Sequence, residues 1–242
     1  MINFTHNSYL TLLADIKASG KKICSFRDLK ATDEAYVILR HDIDFSLEKA
    51  LDMAHLDTTA GVTSTFFFLL TAPYYNPLSE EGVAYIKKIA ALGHECGLHY
   101  DCTSFEYLSE AQRQHRVETL ANALQDVSGI PIKIIAQHKP AKSPIRQEFP
   151  AYVNAYSPQY ISDIVYVSDS RRMFRHADIT EFLKQTPKSQ LLIHPIWWNE
   201  NPMTREEIMQ SQLSKTNEYI HHLLDDEITS INNYIEKMKP GS

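Results

Sequence analysis

Short apolar, β-branched runs alternate with helix-period segments along most of the chain, and few folds accept that alternation except a mainly parallel sheet or barrel wrapped by helices. The pattern predicts strands over 35–39, 62–70, 95–98, 132–136, 164–167 and 190–193. Between them, 47–56, 79–92, 109–127 and 179–185 repeat apolar residues every three or four positions, as helices covering such a sheet should. Gly61, Gly93 and Gly129 follow three of these helices, where a left-handed cap would place them. The expected fold is α/β, a distorted (β/α) barrel of about seven strands with extra helices at both ends. A leading helix is expected over 7–19 and a long one over 204–238. We read one domain over 1–242, with its core at about 35–198 and a helical extension at about 203–238. That extension is expected to pack on its own domain, with a homodimer contact as the alternative. The segment 139–158, carrying Pro140, Pro144, Pro150 and Pro158, reads as a long irregular loop.

Composition excludes several classes of function. A net charge of -6 without long basic runs offers no footprint for nucleic acid. No stretch approaches the roughly 18 apolar residues of a membrane span, and no basic segment leads into an apolar one at the start, so a cytoplasmic protein is expected. Cys24, Cys96 and Cys102 are odd in number and lack metal-site spacing, which suits reduced thiols. A small-molecule or carbohydrate substrate fits this background.

The chemistry concentrates at strand ends. Leu39-Arg40-His41-Asp42-Ile43-Asp44 ends a strand with ionisable groups at the position where α/β folds place their active sites. Asp42 and Asp44 are two apart and share a face of an extended chain, and two carboxylates so close call for a cation or a shared proton. A helix cap near Ser46 would account for one of them only. In Gly93-His94-Glu95-Cys96-Gly97-Leu98-His99, the two histidines are five apart and face opposite ways, so His99, at the carboxyl end, is the better ligand. His138, followed by Lys139, and His194, followed by Pro195, close two further apolar runs. Asp169 and Arg171 flank another strand end, where a turn held by an Asp side chain explains them equally well. Trp197 could stack on a sugar ring or simply fill the core. His41, Lys139, Asp169, Arg171 and Trp197 are the candidate substrate contacts.

These clusters, in this order, resemble the polysaccharide deacetylase family, also called carbohydrate esterase family four or the NodB homology domain, and within it the divergent bacterial branch of surface-polysaccharide loci. The likeness rests on Arg40 to Asp44, on Gly61-Val62-Thr63-Ser64-Thr65-Phe66-Phe67, on Gly93 to His99 and on Leu192-Ile193-His194-Pro195, and covers about 35–198. It implies one divalent metal ion, usually zinc, held by an Asp and two His. Matched residue by residue, it makes Asp42 the general base, Asp44 the carboxylate ligand, His99 the first imidazole ligand and His194 the general acid. The family's second histidine ligand, four residues after the first, is Thr103 here. His138 is the expected replacement, with Asp101 behind it. The family's Arg-Pro motif near that point is absent, which leaves Lys139 without an assigned role. The function implied is a metal-dependent deacetylase acting on a sugar or sugar precursor. The alternatives are an inactive carbohydrate-binding or assembly protein on the same barrel, and a hydrolase of a non-sugar amide.

Overall fold

In the computed structural model, which describes residues 2–105, 107–142 and 147–238, strands and helices alternate from end to end. The order is α1 (His6–Ala18), β1 (Lys22–Cys24), β2 (Tyr36–Ile43), α2 (Leu47–Thr59), β3 (Thr65–Leu69), α3 (Glu80–Ala91), β4 (Glu95–Asp101), α4 (Glu110–Ser128), β5 (Ile134–His138), β6 (Val153–Asn154), α5 (Pro158–Ile161), β7 (Val165–Ser168), α6 (Ile179–Gln185), β8 (Lys188–Ile193) and α7 (Arg205–Met238). The chain divides into two compact units, Met1–Pro202 and Met203–Ser242. The first holds every strand and the second is α7. No helix among the described residues is long and apolar enough to cross a membrane.

The strands form one parallel sheet in the order β6-β5-β4-β3-β2-β8-β7, with β1 beside the first half of β2. The sheet curls into a half-barrel, the distorted (β/α) barrel that the sequence predicts, and among the described residues β6 and β7 end its main path. Both faces are covered, so all eight residues of β2 are buried. Ile38 of β2 joins Phe67 of β3 and Ile134 and Ala136 of β5 inside the barrel. Val37, Leu39 and Ile43 pack outward with Phe66, Phe68, Leu98, Ile135, Leu191 and the helices.

Local chemistry fixes the helix ends. Ser46, Ser79 and Ser109 cap α2, α3 and α4 by accepting hydrogen bonds from Lys49, Gly82 and Gln112. Gln112 returns the bond to Ser109 in a capping box. Gly61, Gly93 and Gly129 all take positive φ, as expected. Two strands escape the sequence reading. β1 and β6 have three and two residues, too short to show an alternation. Thus the expected loop over 139–158 is interrupted by β6, which pairs with β5, and by the start of α5. Its Pro144 lies outside the described residues.

Candidate metal centre

Alternation along β2 decides which side chains enter the barrel. Arg40 and Asp42 share the inner face with Ile38, and Asp44 follows at the strand's tip. Parallel pairing brings the other tips alongside, with Leu69 opposite His99 and Asp101 opposite His138. β8 delivers His194 from the other flank of β2.

Asp44 Oδ1, His99 Nε2 and His138 Nδ1 form a nearly equilateral triangle. Its edges are 3.1 Å between the imidazoles, 3.4 Å from His99 to Asp44 and 3.2 Å from His138 to Asp44. A tetrahedral cation with bonds of about 2.0–2.1 Å requires ligand edges of about 3.3 Å. Protons explain the triangle poorly. The hydrogen bond of proper geometry in the triangle runs between the imidazoles, His138 Nδ1 to His99 Nε2, and a proton there leaves both edges to Asp44 Oδ1 without a donor. The Nδ1 of His99 lies 2.9 Å from the Ala136 carbonyl, which fixes the tautomer that leaves Nε2 free to coordinate. Asp44 Oδ1 is buried with no hydrogen-bond donor of proper geometry among the described residues. One carboxylate oxygen and two imidazole nitrogens suit zinc or a similar divalent ion. Burial opposes the charge of Asp44, yet His138, His99 and His194 around it hold its carboxyl far below the usual range.

Asp42 stands beside this triangle, its Oδ2 3.6 Å from His99 Nε2. It is gripped at both oxygens by Arg40, Nε to Oδ1 at 3.0 Å and Nη2 to Oδ2 at 2.7 Å. Arg40 is fully buried. Its Nη1 donates to Gln190 Oε1 at 3.0 Å, its Nη2 donates to Tyr156 at 3.2 Å, and the guanidinium lies over the Tyr156 ring at 4.6 Å. Burial would raise the Asp42 pKa, but Arg40 and then His99 bring it below the ordinary carboxylate value.

His194 faces Asp44 from the opposite side, Nε2 to Oδ2 at 4.0 Å. Behind it, Asp169 lies 2.6 Å from Nδ1, accepts the His194 backbone N–H at 3.0 Å and accepts Trp198 Nε1–H at 2.8 Å. Burial disfavours the imidazolium, but Asp169, Asp44 and Asp42 push the His194 pKa up to about 9.

The structure thus brings together Asp42, Asp44, His99, His138 and His194, and places Asp169 directly behind His194. Asp169 is wholly buried, so it orients the imidazole rather than touching a substrate. His41 lies elsewhere. With the opposite parity to Asp42, it faces the helices at zero exposure, 2.8 Å from Asp57 and stacked on Phe66. A substrate contact does not fit such a side chain. Asp57 also accepts from Tyr9 and Ser64, tying α1, α2 and the sheet together. Lys139 and Arg171 are exposed at positive φ, 49° and 62°, outside the donor triangle. Trp197 is partly buried near Phe45, which stacks on the exposed Tyr74 at 4.9 Å. Asp101 is occupied in accepting from the backbone and side chain of Thr103. The sequence reading assigns no role to Gln190, Tyr156, Phe45 or Tyr74. It also leaves Arg40 without one, although its parity with Asp42 is a signal that could have found it.

No protein-family model and no curated protein matches the chain. Among solved structures it is similar to a CE4 family pseudoenzyme from Bacillus anthracis, at 16% identity, 80% of this chain, 66% of that one and a TM-score of 0.47. The chain therefore spans just under two thirds of that protein's length. It is also similar to a family 4 carbohydrate esterase from Bacillus anthracis, at 14% identity, 92% of each chain and a TM-score of 0.43. A third is the chitin deacetylase of the fungal pathogen Colletotrichum lindemuthianum, at 17% identity, 78% of this chain, 85% of that one and a TM-score of 0.47.

Proposed function

We propose that this chain is a metal-dependent deacetylase acting on an acetylated sugar or sugar precursor of surface-polysaccharide metabolism. The observation that carries the reading is the triangle of Asp44, His99 and His138, whose edges fit a tetrahedral cation, flanked by a carboxylate on one side and an imidazole on the other. Asp44, His99 and His138 would hold a divalent ion, with zinc preferred for this donor set. When bound, that ion supplies Lewis-acid activation of water and of an acyl carbonyl.

The chain's own residues divide the remaining work. Asp42 stays ionised because Arg40 neutralises it, and its carboxylate takes the proton of the attacking water. His194 is held cationic by Asp169 and donates from Nε2 to the departing amine or alkoxide. Arg40, from β2, supplies the guanidinium that holds the Asp42 carboxylate, in a chain without the family's Arg-Pro motif beside His138. Phe45, Tyr74 and Trp197 offer apolar faces on which a sugar ring can stack. A cytoplasmic setting would make activated sugar precursors the substrates, in preference to finished polymer.

Elemental analysis should find one divalent ion per chain, and acetate should be released from acetylated nucleotide sugars or oligosaccharides. Asp42→Asn should keep the ion and lose turnover by about 10²–10⁴-fold, whereas Asp44→Ala should lose both. Protein that binds no stoichiometric metal, and stays inactive after zinc, cobalt or nickel is supplied, would overturn the proposal in favour of a carbohydrate-binding role.

A further inference from the structure

Among its described residues the second unit holds one helix, the 34-residue α7, and nothing else described in that unit covers its apolar side. Ile220, Leu224, Ile228, Ile231, Ile235 and Met238 follow one another at spacings of four, four, three, four and three. Those spacings track the 3.6-residue helical turn, so the side chains form a straight stripe along one side. Each is between 48% and 67% exposed. Adding Leu213, the stripe climbs roughly 38 Å at 1.5 Å per residue. With side chains of about 100 Å² each, it offers several hundred Å² to a partner, approaching the roughly 800 Å² per side of a standard interface. A soluble monomer rarely leaves so large a contiguous apolar patch bare.

The polar side argues against a lipid surface as the occupant. Arg205, Lys215 and Lys237 are outnumbered by seven carboxylates in the helix, the reverse of the Lys/Arg-rich polar face that binds anionic membranes. Asn217 breaks the row between Leu213 and Ile220, Glu227 borders it beside Ile228, and each is five residues from the level of His222. A two-fold axis at His222 therefore sets Asn217 against the partner's Glu227, amide to carboxylate, while Ile220 meets the partner's Leu224 and Leu213 meets the partner's Ile231. Parallel pairing would instead oppose Glu227 to the partner's Glu227 in an apolar seam. One self-complementary patch is what a closed two-fold dimer needs.

We infer that α7 is the seam of a homodimer, in which it pairs antiparallel with α7 of a second copy about an axis at His222. Sedimentation equilibrium on the full chain should approach twice the chain mass at about 10 µM, where a dissociation constant of about 1 µM leaves most chains paired. Leu224→Asp buries a charge on each side of the axis and should raise the dissociation constant by at least about 100-fold. Asn217→Lys should tighten the dimer, because an ammonium replaces an amide opposite the partner's Glu227. An equimolar mixture of Ile220→Cys and Leu224→Cys chains should cross-link on oxidation, and neither alone should do so efficiently. Far-UV circular dichroism on each variant separates loss of pairing from loss of the helix, and Leu224→Lys serves as a second variant if Leu224→Asp unfolds it. A monomer throughout the range up to about 100 µM, a dimer untouched by either Leu224 substitution in a folded chain, or efficient cross-linking of Leu224→Cys alone would overturn the inference.

Discussion

Replacing Arg40 by methionine tests whether the charge balance inside the barrel holds Asp42 in place. Methionine keeps much of the arginine stem's volume, so the cavity cost is small, and the change removes the cation from a carboxylate that is only 3% exposed. Breaking a buried ion pair from one side costs about 3–5 kcal/mol. Gln190 Oε1 loses its donor at the same time, which adds about 1 kcal/mol. The expected loss is therefore about 4–6 kcal/mol near neutral pH, a large part of a domain's stability. The pH dependence separates charge from packing. In the wild type the Asp42 pKa is depressed, so its stabilisation is complete above the unfolded value of about 3.9 and is lost only as pH falls through the lower folded value. In the variant, burial without the guanidinium raises that pKa, so the penalty is full at high pH and fades as pH falls. Below the variant's Asp42 pKa, the gap between the two proteins should close by about 1.4 kcal/mol per pH unit. Urea denaturation of both proteins in chelator, from about pH 7.5 down to about pH 5, gives the difference directly. A difference under about 1 kcal/mol that stays flat with pH would refute the reasoning, because Asp42 would then not depend on Arg40.

Three further outcomes follow from the same geometry. His138→Ala should weaken divalent-ion affinity by more than about 100-fold in calorimetry, whereas Asp101→Ala should leave it nearly unchanged, since Asp101 serves Thr103. His194 has a folded pKa of about 9, above its unfolded value of about 6.5, so in metal-free protein its ion pair with Asp169 stabilises fully below about pH 6.5 and fades as pH rises through about 9. The stability gap between wild type and His194→Gln should shrink over that window, and a gap that grows instead would contradict the pairing. Gly97 sits where an added Cβ would lie 2.7 Å from Phe67 Cε1 and 2.8 Å from Ile134 Cγ2, so Gly97→Ala should cost about 1–3 kcal/mol in thermal unfolding, with Phe67→Leu restoring part of it.

What the sequence made legible, and what it hid, follow from the range over which each physical cause acts. Hydrophobic period and capping act within a few residues, so the long strands and the helices of seven residues or more could be placed from local pattern, while the four-residue α5 went unseen and β1 and β6, too short to show a period, owe their pairing to neighbours far along the chain. The strand tips were visible because charged groups directly after apolar runs are unusual. Their division of labour depends on a finer rule. Grouping Arg40, His41, Asp42 and Asp44 by adjacency suggested one cluster, whereas the two-residue period of the strand sends His41 to the helix side and Arg40 inward with Asp42. The remaining assignments are long-range and leave no local trace. Asp169 reaches His194 across 25 positions, and Gln190 reaches Arg40 across 150. The two contacts differ in kind, and that difference bears on function. Asp169 sets the proton state of an imidazole beside the candidate metal site, whereas Gln190, with Tyr156, completes the polar shell of a guanidinium that would otherwise be too costly to bury. Asp42 can therefore remain charged inside a barrel lined by Ile38, Phe67, Ile134 and Ala136 only because residues from β2, β8 and the segment after β6 converge on its neighbour.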